Sequence, residues 1–322
     1  MYNVGVLFSR DFVGNTPLGH IGKKLPVYLR LLDLMQEEGW EPFVLTRKTY
    51  KGDGIFEGTW KYQKGNFERV ESPTKIDLVY DRSAGVKFPL NGDGSIVWVN
   101  RLDFKILCWD KDMAFQEIGQ YMPQTFLLTS EDEIPGVLPK IKTDWVVLKP
   151  FNGLKGIGLF IGPKEKALDF KFEGKYKRSL AGFAGKKYIA QDFVDTSKGI
   201  AGITQGLHDL RLAIVNGKIV WSHVRVPQEG SFKSNAAAGG ILTEVDLNLI
   251  PMDIKKIATT ISKKFYKDYD NPIYSLDFGV NIDGTPYIFE INDQIGFPTR
   301  EMKNRDNFLK ALIKNFASKL NK

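Results

Sequence analysis

The sequence predicts an α/β protein in which a parallel α/β domain precedes a largely antiparallel α+β part. The chain opens with a strand–helix–strand pattern over residues 2–8, 25–38 and 40–46, which is typical of parallel sheets. Further along, Asn216-Gly217 and Asp283-Gly284 each separate two runs of alternating apolar residues, a strong signal for β-hairpins. The length of 322 residues is enough for two or three domains.

Composition excludes several classes of protein. Hydrophobic residues make up 43% and charged residues 26%, so the chain is globular rather than disordered. No apolar run approaches the ~18 residues of a membrane span and no secretory signal is visible, so we expect a cytoplasmic protein with no membrane partner. One cysteine, Cys108, and three histidines exclude an internal disulfide and argue against a zinc site. The net charge of +7 is spread over interrupted stretches, which are typical of solvated faces and not of a nucleic-acid site.

Residues 1–102 are expected to form the first α/β domain. Its helix carries apolar residues at 25, 28, 29, 32 and 35, the spacing of a buried helical face, and Gly39 ends it. Apolar runs predict the remaining elements of this domain: two further strands of the parallel sheet at 77–80 and 96–100, and a small hairpin of 60–62 with 67–70 around Lys64-Gly65.

The rest of the chain contains both helices and strands. Residues 164–187 are polar and basic, which predicts a helix and a surface loop. The other expected elements are helices at 110–121, 252–269 and 304–320, and strands at 145–149, 159–162 and 188–193.

The hairpin at Asp283-Gly284 places two acids side by side. With a two-residue turn, Asp277 faces Glu290 while Phe278 faces Phe289 on the opposite, apolar side of the hairpin. Two opposed carboxylates repel each other, and a divalent cation would offset this cost. Mg²⁺ or Mn²⁺ is favoured because the ligands are hard oxygens. The alternative is that solvent or basic side chains compensate the pair.

Asn292 faces Ser275 in the same register and would add an oxygen to the acidic pair. We therefore expect Glu290→Gln and Asp277→Asn to abolish turnover while leaving the fold intact or slightly stabilised.

The hairpin at Asn216-Gly217 has a less consistent register. A strict pairing puts Arg211 and Arg225 on opposite faces, so a bulge near Val224, or a position of Arg225 beyond the ladder, is needed to bring both to one site. We expect Trp221 to lie in the core.

A glycine-rich segment follows the strand at 145–149. Lys149 ends that strand, and Gly153, Gly156 and Gly158 let the backbone approach phosphate oxygens closely. Because a strand and not a helix follows, the segment is neither a P-loop nor a dinucleotide fingerprint. It suits a flap over phosphates, although a plain hairpin turn is the better explanation when the segment is taken alone.

In this order the features resemble the ATP-grasp superfamily, in particular the group of ribosomal protein S6 glutamate ligase and glutathione synthetase, over roughly residues 103–298. The resemblance implies an N-terminal α/β domain, 1–102, followed by an ATP-grasp fold of two α+β subdomains. The first, 103–193, would carry the glycine-rich flap, and the second, 194–322, the metal and substrate site. The implied cofactors are ATP and Mg²⁺ or Mn²⁺.

The resemblance also implies roles for individual residues. Those expected to bind nucleotide are Lys111, Lys149, Gly153, Gly156, Gln191, Asp192, Val194 and Asp195. Those expected to act in catalysis are Arg211, Arg225 and Asn235. The metal ligands would be Asp277, Glu290 and Asn292, and substrate contacts would come from Arg82, Lys233, Gly239 and Gly240.

The implied activity is an ATP-dependent carboxylate–amine ligase that forms an amide bond through an acyl phosphate. A kinase acting on a hydroxyl and a nucleotide-binding regulator without turnover are the alternatives. Expected partners are a small-molecule or peptide carboxylate and an amine, with a homo-oligomer left open. The chain departs from the family pattern at 196–208, 235–240 and 293–296, which leaves its specific substrate undefined. For Arg82, a substrate carboxylate and a structural ion pair are both open.

Overall fold

The first sheet is built mainly from parallel strands that the sequence predicts. The computed structural model describes residues 1–9, 12, 17–83, 93–153, 156–172, 187–232 and 240–321. The order of the sheet is β6-β5-β2-β1-β8-β9, in which β1 pairs parallel with β2 and β8, and β8 pairs parallel with β9. The hairpin β5–β6 adds an antiparallel edge. The strands are β1 Asn3–Phe8, β2 Glu41–Thr46, β5 Thr59–Gln63, β6 Asn66–Val70, β8 Leu78–Asp81 and β9 Val97–Val99. A small sheet of β3 Tyr50–Gly52, β4 Ile55–Phe56 and β7 Thr74–Lys75 lies in the same part of the chain.

Two helices cover one face of this sheet. Helix α1, Leu25–Glu37, follows the predicted apolar spacing and buries Leu31 and Met35. Helix α7, Arg305–Leu320, contributes Phe308 and Phe316 to the same core. The C-terminal helix therefore packs against the first sheet, although the expected boundaries assign it to the second ATP-grasp subdomain. We retain the division at residues 102 and 193 as a proposal.

The second sheet is antiparallel, in the order β10-β13-β11-β12. Its strands are β10 Thr125–Leu128, β11 Trp145–Pro150, β12 Phe160–Pro163 and β13 Tyr188–Asp192, with the short helices α4 Ile134–Val137 and α5 Lys164–Ala167 beside them. The helix expected at 110–121 is shorter, α3 Lys111–Ile118, and a helix that was not expected, α2 Leu102–Trp109, precedes it. Asp110 separates the two because its carboxylate accepts the backbone N–H groups of Asp112 and Met113 and so caps α3.

The third sheet is antiparallel as well, in the order β16-β15-β14-β17-β18, and α6 packs in its core. These elements are β14 Asp209–Val215, β15 Lys218–Val226, β16 Ile241–Glu244, α6 Met252–Asp268, β17 Tyr274–Val280 and β18 Pro286–Asn292. Among the helices of the described ranges, none is long and apolar enough to cross a bilayer.

The β14–β15 hairpin contains a bulge, but its position differs from the one expected from the sequence. Asn216 and Gly217 both have positive φ, 52° and 68°, which confirms the two-residue turn. The register shifts between Ala213 and Ile214, where Val220 is the extra residue, and not near Val224. Beyond the shift, Asp209 pairs with Arg225 and Arg211 with His223. Both arginines therefore reach the same face of the sheet.

The β17–β18 hairpin also differs from its expected form. Asp277 faces Glu290 and Ser275 faces Asn292, which confirms the predicted polar pairs. A register shift follows between Asp277 and Phe278, so Phe278 pairs with Ile288 and the predicted pairing with Phe289 is wrong. The turn is not a two-residue one, since the Asn281 N–H donates to the Thr285 carbonyl at 2.9 Å.

Candidate functional site

The carboxylate of Asp277 is buried, and two arginines bind it. Arg211 Nε donates to Asp277 Oδ1 at 2.6 Å and Arg211 Nη2 to Oδ2 at 2.5 Å. Arg225 Nη2 donates to Oδ2 at 2.7 Å and also pairs with Asp209. Burial alone would raise the pKa of Asp277, but the two guanidinium groups outweigh it and lower the pKa. Asp209 behaves oppositely, because burial and the neighbouring Asp277 raise its pKa.

Glu290, which lies opposite Asp277 on β18, has a different partner. Lys111, at the start of α3, lies 3.1 Å from Glu290 Oε1 and donates to the Gly153 carbonyl at 3.0 Å. A cavity of about 70 Å³ is lined in part by Lys111, Gly153, Glu290 and Asn292. Three segments that are distant in sequence, the start of α3, the glycine-rich segment and β18, therefore meet at one place.

Lys149 lies at the end of β11, close to the same place. Its Nζ donates to the Phe289 carbonyl at 3.3 Å. Phe289 is the residue that the β17–β18 register shift leaves unpaired. Burial, followed by the positive charge of Lys111, lowers the pKa of Lys149 to about 8. The carboxylates of Glu290 and Asp277 act in the opposite direction without outweighing burial, and an ammonium in this position suits a group that binds phosphate.

A larger cavity adjoins this cluster. Its volume is about 190 Å³, and its lining includes Lys149, Gln191, Asp192, Val194 and Phe289. The end of strand β13 therefore lines the cavity. The Gln191 side chain itself donates to Thr125 Oγ1 at 2.6 Å, a contact that joins β13 to β10. The cavity has a largely apolar wall with few polar groups, which suits the base of a nucleotide.

Asp195 is absent from the lining of that cavity, although its neighbours Val194 and Thr196 belong to it. Its Oδ1 accepts the Ser197 N–H at 2.9 Å, and its own N–H donates to Asn281 Oδ1 at 3.1 Å. These contacts fix the loop after β13. A shallower cavity of about 660 Å³ lies beyond this loop, near residues 198–205, and its lining includes none of the candidate site residues among those described. The two smaller cavities are the ones lined by candidate site residues.

The oxygen donors of the site fit a divalent cation, but the repulsion between the two carboxylates is not the reason for expecting one. Cations of the chain itself, Arg211, Arg225 and Lys111, already offset the repulsion between Asp277 and Glu290. The repulsion alone therefore does not require a metal. Arg211, Arg225 and Asn292 all donate to Asp277 Oδ2, but Oδ1 receives one hydrogen bond from Arg211 and keeps a lone pair.

Glu290 remains accessible, since 29% of its side chain is exposed. Asp277 Oδ1, Glu290 and Asn292 are hence able to supply the hard oxygen ligands that Mg²⁺ and Mn²⁺ prefer. The chain supplies no cluster of three acids or histidines among the described residues. The amide of Asn292 would have to complete the set.

The remaining predicted residues occupy varied positions. Arg82 follows β8, and its Nη2 donates to the Ile295 carbonyl at 2.7 Å, just after β18. Gly240 immediately precedes β16, which pairs with β15 beside Arg225. Gly156 has a φ of 65° in the segment between β11 and β12. Lys233, Asn235 and Gly239 lie outside the described residues.

His208, His223 and Cys108 are packed side chains. His208 Nε2 accepts the Val280 N–H at 3.1 Å. The His223 ring packs at a tilt against Trp221, with 4.5 Å between ring centroids, and burial lowers the pKa of His223. Cys108 is buried, which raises the pKa of its thiol.

Two lysines near the site were not expected from the sequence. Lys105 on α2 is buried and pairs with Asp81 at the end of β8, linking the first sheet to the region of Asp293. Lys24 precedes α1 and lies beside Gly296, so that a Cβ added there would be 3.5 Å from its Nζ. Neither residue belongs to a motif, because both reach the site only through packing of the first sheet against the third.

Known proteins resemble this chain in sequence and in fold. Residues 106–316 match the family model described as the RimK-like ATP-grasp domain. A probable alpha-L-glutamate ligase of Halorhodospira halophila is 26% identical over 178 residues, which cover 55% of this chain and 52% of that protein. Another, of Methanococcoides burtonii, is 28% identical over 124 residues, covering 38% and 36%. The chain thus spans about half, or less, of the length of the curated relatives it matches.

Solved structures extend the likeness to the whole chain. D-alanyl-alanine synthetase A from Vibrio cholerae has a TM-score of 0.61 at 14% identity, covering 100% of this chain and 99% of that one. A RimK domain ATP-grasp protein from Sphaerobacter thermophilus has a TM-score of 0.58 at 13% identity, covering 97% and 98%. At these identities the likeness shows the fold alone. Since the family model covers more than half of the sequence, the chain belongs to the RimK-like ATP-grasp domain family.

Proposed function

We propose that this protein is an ATP-dependent carboxylate–amine ligase that forms an amide bond and releases ADP and phosphate. The observation that carries the proposal is the meeting of Lys111 with both Glu290 and the Gly153 carbonyl. This contact brings a basic residue, a glycine-rich segment and a carboxylate pair to one place between the second and third sheets. Such a site suits phosphoryl transfer, in which positioning and charge neutralisation do most of the catalytic work.

The nucleotide would bind across the two small cavities. The end of β13, with Gln191, Asp192 and Val194, would contact the base, and Lys111 and Lys149 would bind the phosphates. Mg²⁺ or Mn²⁺ held by Asp277, Glu290 and Asn292 would supply further positive charge at the phosphate oxygens. The depressed pKa of Lys149 supports this assignment, since bound phosphate would stabilise the charged ammonium.

The chemistry requires no protein nucleophile. An oxygen of the substrate carboxylate attacks the γ-phosphorus, the bond to the leaving ADP oxygen breaks, and an acyl phosphate forms. The nitrogen of the amine then attacks the acyl carbon, phosphate leaves with its electron pair, and the nitrogen loses a proton. Both steps develop negative charge on oxygen, which fixed cations stabilise.

The two arginines are placed to stabilise that charge. The Nε of Arg225 is buried and has no hydrogen-bond partner among the described residues. A buried donor without a partner costs free energy, and a substrate oxygen would remove this cost. Arg211 has only two of its three nitrogens engaged with Asp277. Both guanidinium groups therefore keep N–H groups for an anionic substrate or intermediate.

The proposal is tested by incubating purified protein with ATP and Mg²⁺ and a panel of carboxylates and amines. ADP and phosphate should appear only when both a carboxylate and an amine are present. Lys149→Met should lose this activity, whereas Lys256→Met, which changes an exposed lysine on α6, should retain it. The second variant controls for the loss of a positive charge as such.

The alternative activities give different products. AMP and pyrophosphate would contradict the acyl-phosphate mechanism. A stable phosphorylated product without free phosphate would identify a kinase. Binding of ATP with no consumption across the panel would identify a nucleotide-binding regulator.

A further inference from the structure

Lys24 extends from the first domain toward the candidate site. It immediately precedes α1, and its Nζ lies against Gly296, four residues after Asn292 in the sequence. The Lys24 side chain is half-buried, whereas its neighbour Lys23 is exposed. Lys24 makes no hydrogen bond or ion pair with any described residue. Partial removal of an unpaired ammonium from water costs free energy, so this arrangement indicates that an anion binds here.

The charges around Lys24 are positive. Burial, followed by the charges of Arg82 and Arg211, lowers the pKa of Lys24 to about 8. Arg211 is already neutralised by Asp277. The two cations that remain, Lys24 and Arg82, both lie against the segment after β18, with Arg82 at the Ile295 carbonyl and Lys24 at Gly296, and this is one of the three segments where the chain departs from the family pattern.

Arg82 also has no carboxylate of its own among the described residues. It donates to three neutral oxygens, those of Tyr28 at 3.2 Å, Tyr80 at 3.4 Å and the Ile295 carbonyl at 2.7 Å. The nearby Asp293 is bound instead by Trp109 Nε1 at 3.1 Å and by Gln294 Nε2 at 2.9 Å. These neutral contacts hold the guanidinium in place without cancelling its charge.

We propose that Lys24, together with Arg82, binds a carboxylate of a substrate, at a position distinct from the group that is activated by ATP. The proposal rests on the proposed ligase activity and specifies its substrates: one of them carries a free carboxylate that does not react. The site would be closed by the first domain, since both cations belong to it. Around Gly296, the Lys24 Nζ is the one atom of the described residues within 4 Å of where a Cβ would lie, so this glycine does not crowd the ammonium.

The first test measures the reactivity of Lys24 directly. The wild-type protein is treated briefly with acetic anhydride at pH 8, and acetylation is quantified by peptide mass spectrometry. Lys24, with its depressed pKa, should react faster than expected from its exposure, and glutarate or L-glutamate at millimolar concentration should slow its acetylation severalfold. Acetylation of Lys23, next to it and exposed, should not change.

The added anions distinguish the possible ligands. Protection by glutarate and L-glutamate supports the carboxylate site. Protection by ATP or inorganic phosphate, with no effect of the carboxylates, would assign Lys24 to the nucleotide phosphates and overturn the proposal. An unchanged rate with every anion would overturn it as well.

The second test uses variants and calorimetric titration with glutarate. Lys24→Gln should weaken binding about tenfold, and Lys23→Gln should leave it unchanged. Gly296→Asp places a carboxylate beside Lys24 and should also weaken binding, while Gly296→Asn, of the same shape, should weaken it less. A Cβ at this position makes only ordinary contact, so both Gly296 variants should fold. Equal affinity of the wild type and Lys24→Gln would contradict the proposal.

These results are separable from the ligase assay on the same preparations. Turnover of ATP with an acid and an amine, but without protection of Lys24, would contradict the Lys24 site alone. Protection without turnover would retain the site and contradict the ligase activity.

Discussion

Arg211 and Asp277 face each other across β14 and β17, and the Arg211 guanidinium donates to both oxygens of the carboxylate. Asp277 also faces Glu290, which lines a cavity together with Lys111, so Asp277 has two functions available to it. It neutralises buried arginines, and it offers a lone pair of Oδ1 to a cation. Glu290, by contrast, is partly exposed and pairs with Lys111. The two acids of the hairpin are therefore not equivalent.

The first prediction follows from this difference. Asp277→Asn should lower the free energy of unfolding by about 3–5 kcal/mol, because among the described residues Arg211 loses its carboxylate partner and Arg225 keeps only Asp209. The expectation from the sequence that this variant keeps its stability is therefore revised. Denaturant unfolding followed by circular dichroism measures the effect. Glu290→Gln, the matched control, should change stability by less than about 1 kcal/mol.

The second prediction concerns the cation. Glu290→Gln should weaken ATP binding about tenfold in the presence of Mg²⁺, a loss of about 1.4 kcal/mol, because it removes one of two charged oxygen ligands. Without Mg²⁺ the affinity should change far less. Isothermal titration with a non-hydrolysable ATP analogue provides the measurement. Equal affinities of both proteins in Mg²⁺ would argue against Glu290 as a ligand.

The third prediction concerns the contact of Gly279 with Phe289. A Cβ on Gly279 would lie 2.1 Å from the Phe289 ring and 2.9 Å from Thr196, so Gly279→Ala must displace the ring. We expect a loss of about 1–3 kcal/mol of stability. We also expect weaker ATP binding, since Phe289 lines the larger of the two site cavities.

Gly136→Ala is the control for that variant. Nothing lies within 4 Å of a Cβ at Gly136, so the added methyl group should be tolerated. Thermal unfolding and ATP-analogue titration of both variants measure the two effects. Unchanged binding by Gly279→Ala would place the nucleotide base elsewhere.

The fourth prediction is a pH dependence. The pKa of Lys149 is lowered from 10.5 to about 8, so its ammonium is charged below that pH and loses its charge as the pH rises through it. Affinity for ATP without Mg²⁺ should therefore fall as the pH rises through about 8. The loss should be about tenfold, in keeping with about 1.5 kcal/mol for a charged hydrogen bond. Lys149→Arg keeps its charge, so its binding should lack this fall, and an identical profile for both proteins would exclude Lys149 as the titrating group.

Local signals in the sequence predicted much of the fold. The strand–helix–strand pattern at the start of the chain predicted the parallel pairing of β1 with β2, since that pattern depends on periodicity within each segment. Asn216-Gly217 predicted its turn because few residues tolerate positive φ. The assumed two-residue turn placed Asp277 opposite Glu290, and this pairing is right although the turn is wrong, because the register shift after Asp277 offsets the different turn. These features depend on neighbours in the chain or on one partner strand.

The tertiary structure decided the remaining features of the site. Register shifts after Ala213 and after Asp277 turned Arg225 toward Arg211 and left Phe289 unpaired beside Gly279. Such bulges arise where packing between sheets outweighs the regular ladder, and no local pattern marks them. The same holds for Lys24, which reaches Gly296 only because the first domain packs against the third sheet. The sequence by itself determined which residue types were available for the site, and the packing of separate elements decided which of them meet, because contacts between distant segments depend on the whole core.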